Sequence, residues 1–190
     1  MTTPESTFDL NLYMHALLQE EPFFAAVSRQ INKRSTTSIQ TAAMAVTEDG
    51  FIELLYNPEF MQKMLALGES TKDKHAFTYI RGIIKHEFYH FFFGHLTDRM
   101  PEGGISKTWN IAMDLAINCH ISDELPPIAC IPGHGIFSDI PPFLTSEAYY
   151  EMLKKEQEEG GDGSPGRLDD ADSLDDHSGF GDGGDTPDET

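Results

Sequence analysis

Residues 79–93 form the stretch that most restricts how this chain can fold. Its apolar positions, Ile80, Ile83, Ile84, Phe88, Phe91, Phe92 and Phe93, fall on every side of a helical projection, so a helix here must be buried all round. Set into it is His86-Glu87-Phe88-Tyr89-His90, an HExxH pattern. An α-helix turns about 100° per residue, so His86 and His90 stand about 40° apart on one face. Two imidazoles so placed can bind one metal ion, with Glu87 beside them as a general base and not a ligand. A buried His-Glu-His cluster needs partners to offset its desolvation, and a metal ion supplies them.

A catalytic zinc site takes three protein ligands and leaves one position open. The residues available for the third place are His95, Asp114, His120, His134 and His177. On a continued helix His95 would lie about 180° from His86. Gly94 can end the helix and turn His95 back, but the spacing is one residue short of HExxHxxGxxH. His95 therefore reads as a hydrogen-bonding core residue or an alternative ligand.

Asp114 fits better. Asn110, Asp114 and Asn118 recur every four residues, a polar stripe on a predicted helix over 109–121 that is otherwise built from Trp109, Ile111, Leu115, Ile117 and Ile121. A polar stripe facing a core needs partners, and a metal ligand with hydrogen-bonding neighbours provides them; the alternative is a stripe turned to solvent. The helix follows His90 at the distance where gluzincins supply a carboxylate from a second helix. His86, His90 and Asp114 are the expected metal ligands, one zinc ion the expected cofactor, and Asn110 and Asn118 the expected supports. His120 points about 240° away from Asp114 on the same helix. His134 reads as a surface residue in a Gly/Pro loop, and Tyr149 and Tyr150 as packing residues.

Charge separates the body from the end of the chain. The net charge is −19, and 13 of the 32 acidic residues fall at positions 156–190 with only Arg167 to oppose them. Residues 162–190 are rich in Gly and Asp and nearly free of apolar side chains, a composition that cannot offset chain entropy and so predicts disorder. No basic stripe exists to release counterions from a nucleic acid, so nucleic-acid binding is disfavoured. No apolar run approaches the roughly 20 residues needed to cross a bilayer. The polar, acidic start lacks the pattern of a signal peptide, and Cys119 and Cys130 suit neither a disulfide framework nor a CxxC zinc site. These features predict a cytoplasmic protein without a membrane partner.

Along the chain, residues 10–33 read as one or two helices broken at Pro22, and Ser35 to Ser38 as a loop. Ala42–Val46 and Phe51–Tyr56 are β-prone runs joined by Thr47-Glu48-Asp49-Gly50, a hairpin signal. Residues 59–67 read as a helix, Gly94 as a helix stop, 130–142 as an irregular loop, and 145–158 as a last amphipathic helix.

The sequence HEFYHFFFGH, followed by WNIAMDLAIN, resembles a metallopeptidase family whose members are often fused to a von Willebrand A-like domain. Pro22-Phe23-Phe24, Tyr56-Asn57-Pro58-Glu59-Phe60 and the Glu147–Tyr149 helix extend the resemblance over most of residues 8–158. It implies that His86, His90 and the Asp of the second motif, Asp114, ligate the metal, with Glu87 as base. The 190 residues contain no von Willebrand A-like domain, and an acidic tail stands in its place.

The expected fold is α+β: a mainly helical zincin-like domain over 1–158, with a small β-hairpin packed on the HExxH helix, and a disordered acidic tail over 159–190. The expected activity is zinc-dependent hydrolysis of a protein or peptide substrate, the hairpin pairing with an extended substrate by strand addition. Asp176 and His177 in the tail are candidates to fold back and inhibit the metal site. The alternative is a non-catalytic, zinc-stabilised interaction module whose acidic tail recruits a protein partner.

Overall fold

Helix boundaries in this chain follow from which side chains can take the first unpaired amides. The computed structural model describes residues 8–71, 75–99, 101 and 104–159. Asp9 accepts from the amide of Asn11 and opens α1 (Leu10–Glu20), while Pro22, which has no amide to leave unpaired, starts α2 (Pro22–Ser28). Asn57 accepts from the amides of Glu59 and Phe60 and opens α3 (Pro58–Ser70). The motif helix is α4 (Thr78–Phe92). Ser106 accepts from the amide of Trp109 and opens α5 (Lys107–Asn118), and α6 runs from Ser146 to Glu159.

Three strands complete the α+β fold: β1 (Asn32–Ser35), β2 (Ala42–Val46) and β3 (Ile52–Tyr56), in the order β1-β3-β2. β2 and β3 pair antiparallel, the expected hairpin, and Gly50 takes φ +77° at the turn. β1 corrects the sequence reading, which gave 32–33 to a helix and 35–38 to a loop. It pairs parallel with β3, Asn32 opposite Glu53 and Ser35 opposite Tyr56. Asn-Lys-Arg-Ser has no branched or aromatic residue to mark a strand; backbone pairing and the Arg34–Glu53 ion pair at 3.1 Å hold it there.

α4 is the centre of the core. Ile80, Ile83, Ile84 and Phe88 are fully buried, as are Ala42, Met44 and Leu54 of the sheet that packs on it. α1 covers the same cluster with Leu10, Met14 and Leu17, and α5 enters it with Ile117. A second cluster joins α5 to α6 through Ile111, Ala112, Leu115, Tyr149 and Leu153. α5 thus lies between α4 and α6, with Asp114 and Asn118 turned to α4 and Ile111, Ala112 and Leu115 turned to α6. No helix among the described residues is long and apolar enough to cross a membrane. The expected disordered tail beyond Glu159, including Asp176 and His177, lies outside the described residues.

The other face of α4 is fixed by charge and by a missing side chain. Lys85, nearly buried, donates to Glu21 at 2.6 Å and to Glu124 at 2.8 Å, and Arg81 donates to Glu124 at 2.8 Å and to Glu20. This brings the short helical turn Ser122–Glu124 against α4 at Gly82, where a Cβ would run into the Glu124 carbonyl. Backbone cannot give way as a side chain can, so Gly82→Ala is expected to cost about 1–3 kcal/mol despite better helix propensity. Denaturant unfolding checks this; an unchanged or raised midpoint would show the contact to be slack.

Candidate metal centre

Helical periodicity sets His86 and His90 one turn apart on α4, with ring centroids 4.7 Å apart and Nε2 atoms 3.1 Å apart. α5 brings Asp114 to them: its Oδ1 lies 3.4 Å from Nε2 of His86 and 3.5 Å from Nε2 of His90. All three residues are buried at 0% exposure, and their ligand atoms lie within 4.8 Å of one another. Zinc bonded to nitrogen and oxygen at about 2.0–2.2 Å in a tetrahedron has ligand atoms about 3.3–3.6 Å apart. The two nitrogen–oxygen spacings fall in that range, and the nitrogen–nitrogen spacing of 3.1 Å is slightly shorter. The three residues can hold a metal ion.

Hydrogen bonding fixes which nitrogen of His86 is bare. The carbonyl of Cys130 can only accept, so Nδ2 of Asn118 donates to it at 2.8 Å. That orients the Asn118 amide and turns Oδ1, an acceptor, to Nδ1 of His86 at 2.7 Å. His86 must therefore carry its proton on Nδ1 and present the lone pair of Nε2 to Asp114 and His90. A nitrogen lone pair and a carboxylate oxygen converging in a buried space call for a cation. Removing an ion such as the Asp114 carboxylate from water costs several kcal/mol, a cost that a shared cation offsets and neutral imidazoles do not.

The turn after α4 determines where His95 goes. Gly94 adopts φ +70°, its amide bonds the Phe91 carbonyl at 3.1 Å, and the His95 amide bonds the His90 carbonyl at 3.0 Å. This pair of bonds is a Schellman ending, which reverses the chain. His95 is thereby folded back beneath His90, its Nδ1 3.2 Å from Nδ1 of His90, instead of lying on the opposite face. Its other nitrogen, Nε2, lies 2.8 Å from Oγ of Ser146 in the first turn of α6. His95 faces the Nδ1 side of His90, away from the ligand atoms.

Glu87 is fully buried beside the ligands on α4, and Asn110 is buried one turn before Asp114. His120 lies among Tyr89, Phe93 and Phe143, and His134 is exposed in its loop. Tyr149 is buried and donates to the Pro141 carbonyl at 2.8 Å, and Tyr150 packs on Trp109. Ser146 is the residue that the sequence reading missed. Only its place at a helix start was visible, because its partner lies 51 positions away.

Two features bear on access. β2 is an edge strand, but Ala42 and Met44 are at 0% exposure, so that stretch of its backbone is not open to an added strand; Val46, at 45%, is. For the strand addition expected of the hairpin, this leaves the Val46 end of β2 as the accessible stretch. A cavity of about 280 Å³ lies beside α6, lined by Phe93, Arg99, His120, Phe143 and Leu144 among others, and the three ligands are not in its wall.

The start of α6 is held by Arg99, whose Nε donates to Glu147 at 2.7 Å and whose Nη1 donates to the Phe93 carbonyl at 3.2 Å. The hydrogen bond from Arg99 outweighs partial burial and lowers the Glu147 carboxyl from 4.5 to about 2. A carboxyl lowered in the folded state stabilises it above the unfolded value of 4.5, and that contribution is lost as pH falls toward about 2. Thermal melts should therefore show wild type exceeding Glu147→Gln above pH 4.5 and the two converging in acid. A pH-independent gap between them would contradict this.

No protein-family model matches the sequence, and no solved structure matches it. An uncharacterized protein of Thermotoga maritima is 25% identical over 181 residues, covering 85% of this chain. The chain spans 42% of the length of that relative.

Proposed function

We propose that this chain is a zinc-dependent peptide-bond hydrolase with a zincin-like arrangement, in which His86, His90 and Asp114 hold one zinc ion and Glu87 is the general base. The observation that carries this reading is the convergence of two imidazole Nε2 atoms and the Asp114 carboxylate at tetrahedral spacing, with an acid residue on the next helical position. When bound, zinc supplies Lewis acidity, which acidifies water and polarises a carbonyl. Glu87 takes the proton from the attacking water as its oxygen bonds to the substrate carbonyl carbon. The same carboxyl then gives that proton to the amine nitrogen as the C–N bond breaks.

The burial of the ligands also favours a second reading, a non-catalytic module in which the metal stabilises the fold and the acidic tail recruits a protein partner. Zinc-loaded protein offered an unstructured protein and a mixed peptide pool distinguishes the two. Cleavage that a chelator stops and zinc restores supports the hydrolase. A full equivalent of bound zinc with no new termini in any substrate would favour the module.

A further inference from the structure

The two ligand imidazoles are supported in different ways. His86 leans on Asn118 of α5, the helix that carries Asp114, whereas His90 leans on His95, which reaches α6 through Ser146. We propose that Ser146, acting through His95, is a positioning residue for the metal ligand His90, tying the metal centre to α6; this rests on the metal-centre reading above.

The donor order follows from ligation. With the Nε2 lone pair of His90 given to a metal, its proton sits on Nδ1 and is donated to Nδ1 of His95. His95 must then carry its proton on Nε2, and donates it to the Ser146 hydroxyl. The Ser146 hydroxyl, which can accept as well as donate, thus completes the chain that ligation of His90 sets. Outer partners of this kind orient a ligating imidazole and raise its basicity. Both His95 and Ser146 are at 0% exposure, so bulk solvent does not reach either bond.

Ser146 is itself held in place from three sides. Glu147, the next residue, is paired with Arg99, which also donates to the last turn of α4. Tyr149 donates to the Pro141 carbonyl at 2.8 Å and accepts from the Leu144 amide at 3.3 Å, fixing the loop that leads into α6. α6 packs along α5 through Tyr149 and Leu153. A hydroxyl fixed this well aims His95 without a further ordering cost, which is what a positioning residue requires.

The test measures zinc affinity by chelator competition, and the visible spectrum of the cobalt-loaded chain, for wild type, Ser146→Ala, Ser146→Thr, His95→Gln and Asn57→Ala. Ser146→Ala and His95→Gln are each expected to weaken zinc binding by about 10–100-fold and to shift the cobalt bands. Ser146→Thr, which keeps the hydroxyl, should restore the wild-type spectrum. Asn57→Ala removes the cap of α3, a residue in neither the ligand set nor the chain through His95 to Ser146, and should lower the melting temperature while leaving the spectrum unchanged. If Ser146→Ala does not fold, His95→Gln carries the comparison. Wild-type affinity and spectrum in Ser146→Ala and His95→Gln would overturn the positioning role alone, as would an equal spectral shift in Asn57→Ala. Absence of metal binding by wild type would overturn both this inference and the metal centre.

Discussion

Glu87→Gln is expected to abolish measurable peptide hydrolysis, a loss of about 10²–10⁴-fold from removal of the general base, while zinc stays bound in full. Gln has nearly the volume of Glu, so the buried place beside Phe88 and the core of α4 is kept. It cannot take a proton, and nothing else in the proposed arrangement replaces it. Glu87 is not one of the three converging ligands, so metal content should not change. The measurement is new amino termini released per zinc, with zinc quantified on the same samples. Equal turnover by wild type and variant would remove Glu87 from the reaction, and loss of zinc would make it a ligand.

Asp114→Ala carries the second large effect. The carboxylate is the one anion among the three ligands, and it closes the site from a different helix than the imidazoles. Removing it leaves two neutral donors on one helical turn, an incomplete zinc site. Zinc affinity should fall by more than the roughly 10–100-fold expected for loss of an outer partner. The truncation also leaves a hole in a fully buried position while it removes a charge whose burial is costly without a cation, so metal-free stability reports the balance of the two. Asp114→Asn, which fills the space, separates the two effects: it should retain more stability yet still bind zinc poorly. Stoichiometric zinc at unchanged affinity in both variants would exclude Asp114 as a ligand.

The parts of this molecule legible in its sequence are those with a strong local pattern. α4 was readable because apolar residues on every side leave burial as the only outcome. α5 was readable because Asn110, Asp114 and Asn118 interrupt such a surface at helical spacing. The β2–β3 hairpin announced itself through Asp49-Gly50. What escaped is what depends on distant partners. β1 is a strand only because Glu53–Tyr56 lies beside it. The burial of β2 at Ala42 and Met44 likewise comes from packing that no local pattern encodes. The sequence marks His95 as a hydrogen-bonding core residue or an alternative ligand, but its link to Ser146 joins the end of one helix to the start of another across 51 positions. Gly94 carried part of that signal, since a left-handed residue after a helix folds the chain back onto its last turn.

X-ray absorption at the zinc edge of the loaded protein tests the three-ligand centre most directly. The expected result is a shell of light atoms at about 2.0–2.1 Å with the outer-ring signature of two imidazoles and no sulfur. A zinc–sulfur distance near 2.3 Å, implicating Cys119 or Cys130, or a shell without imidazole, would contradict it.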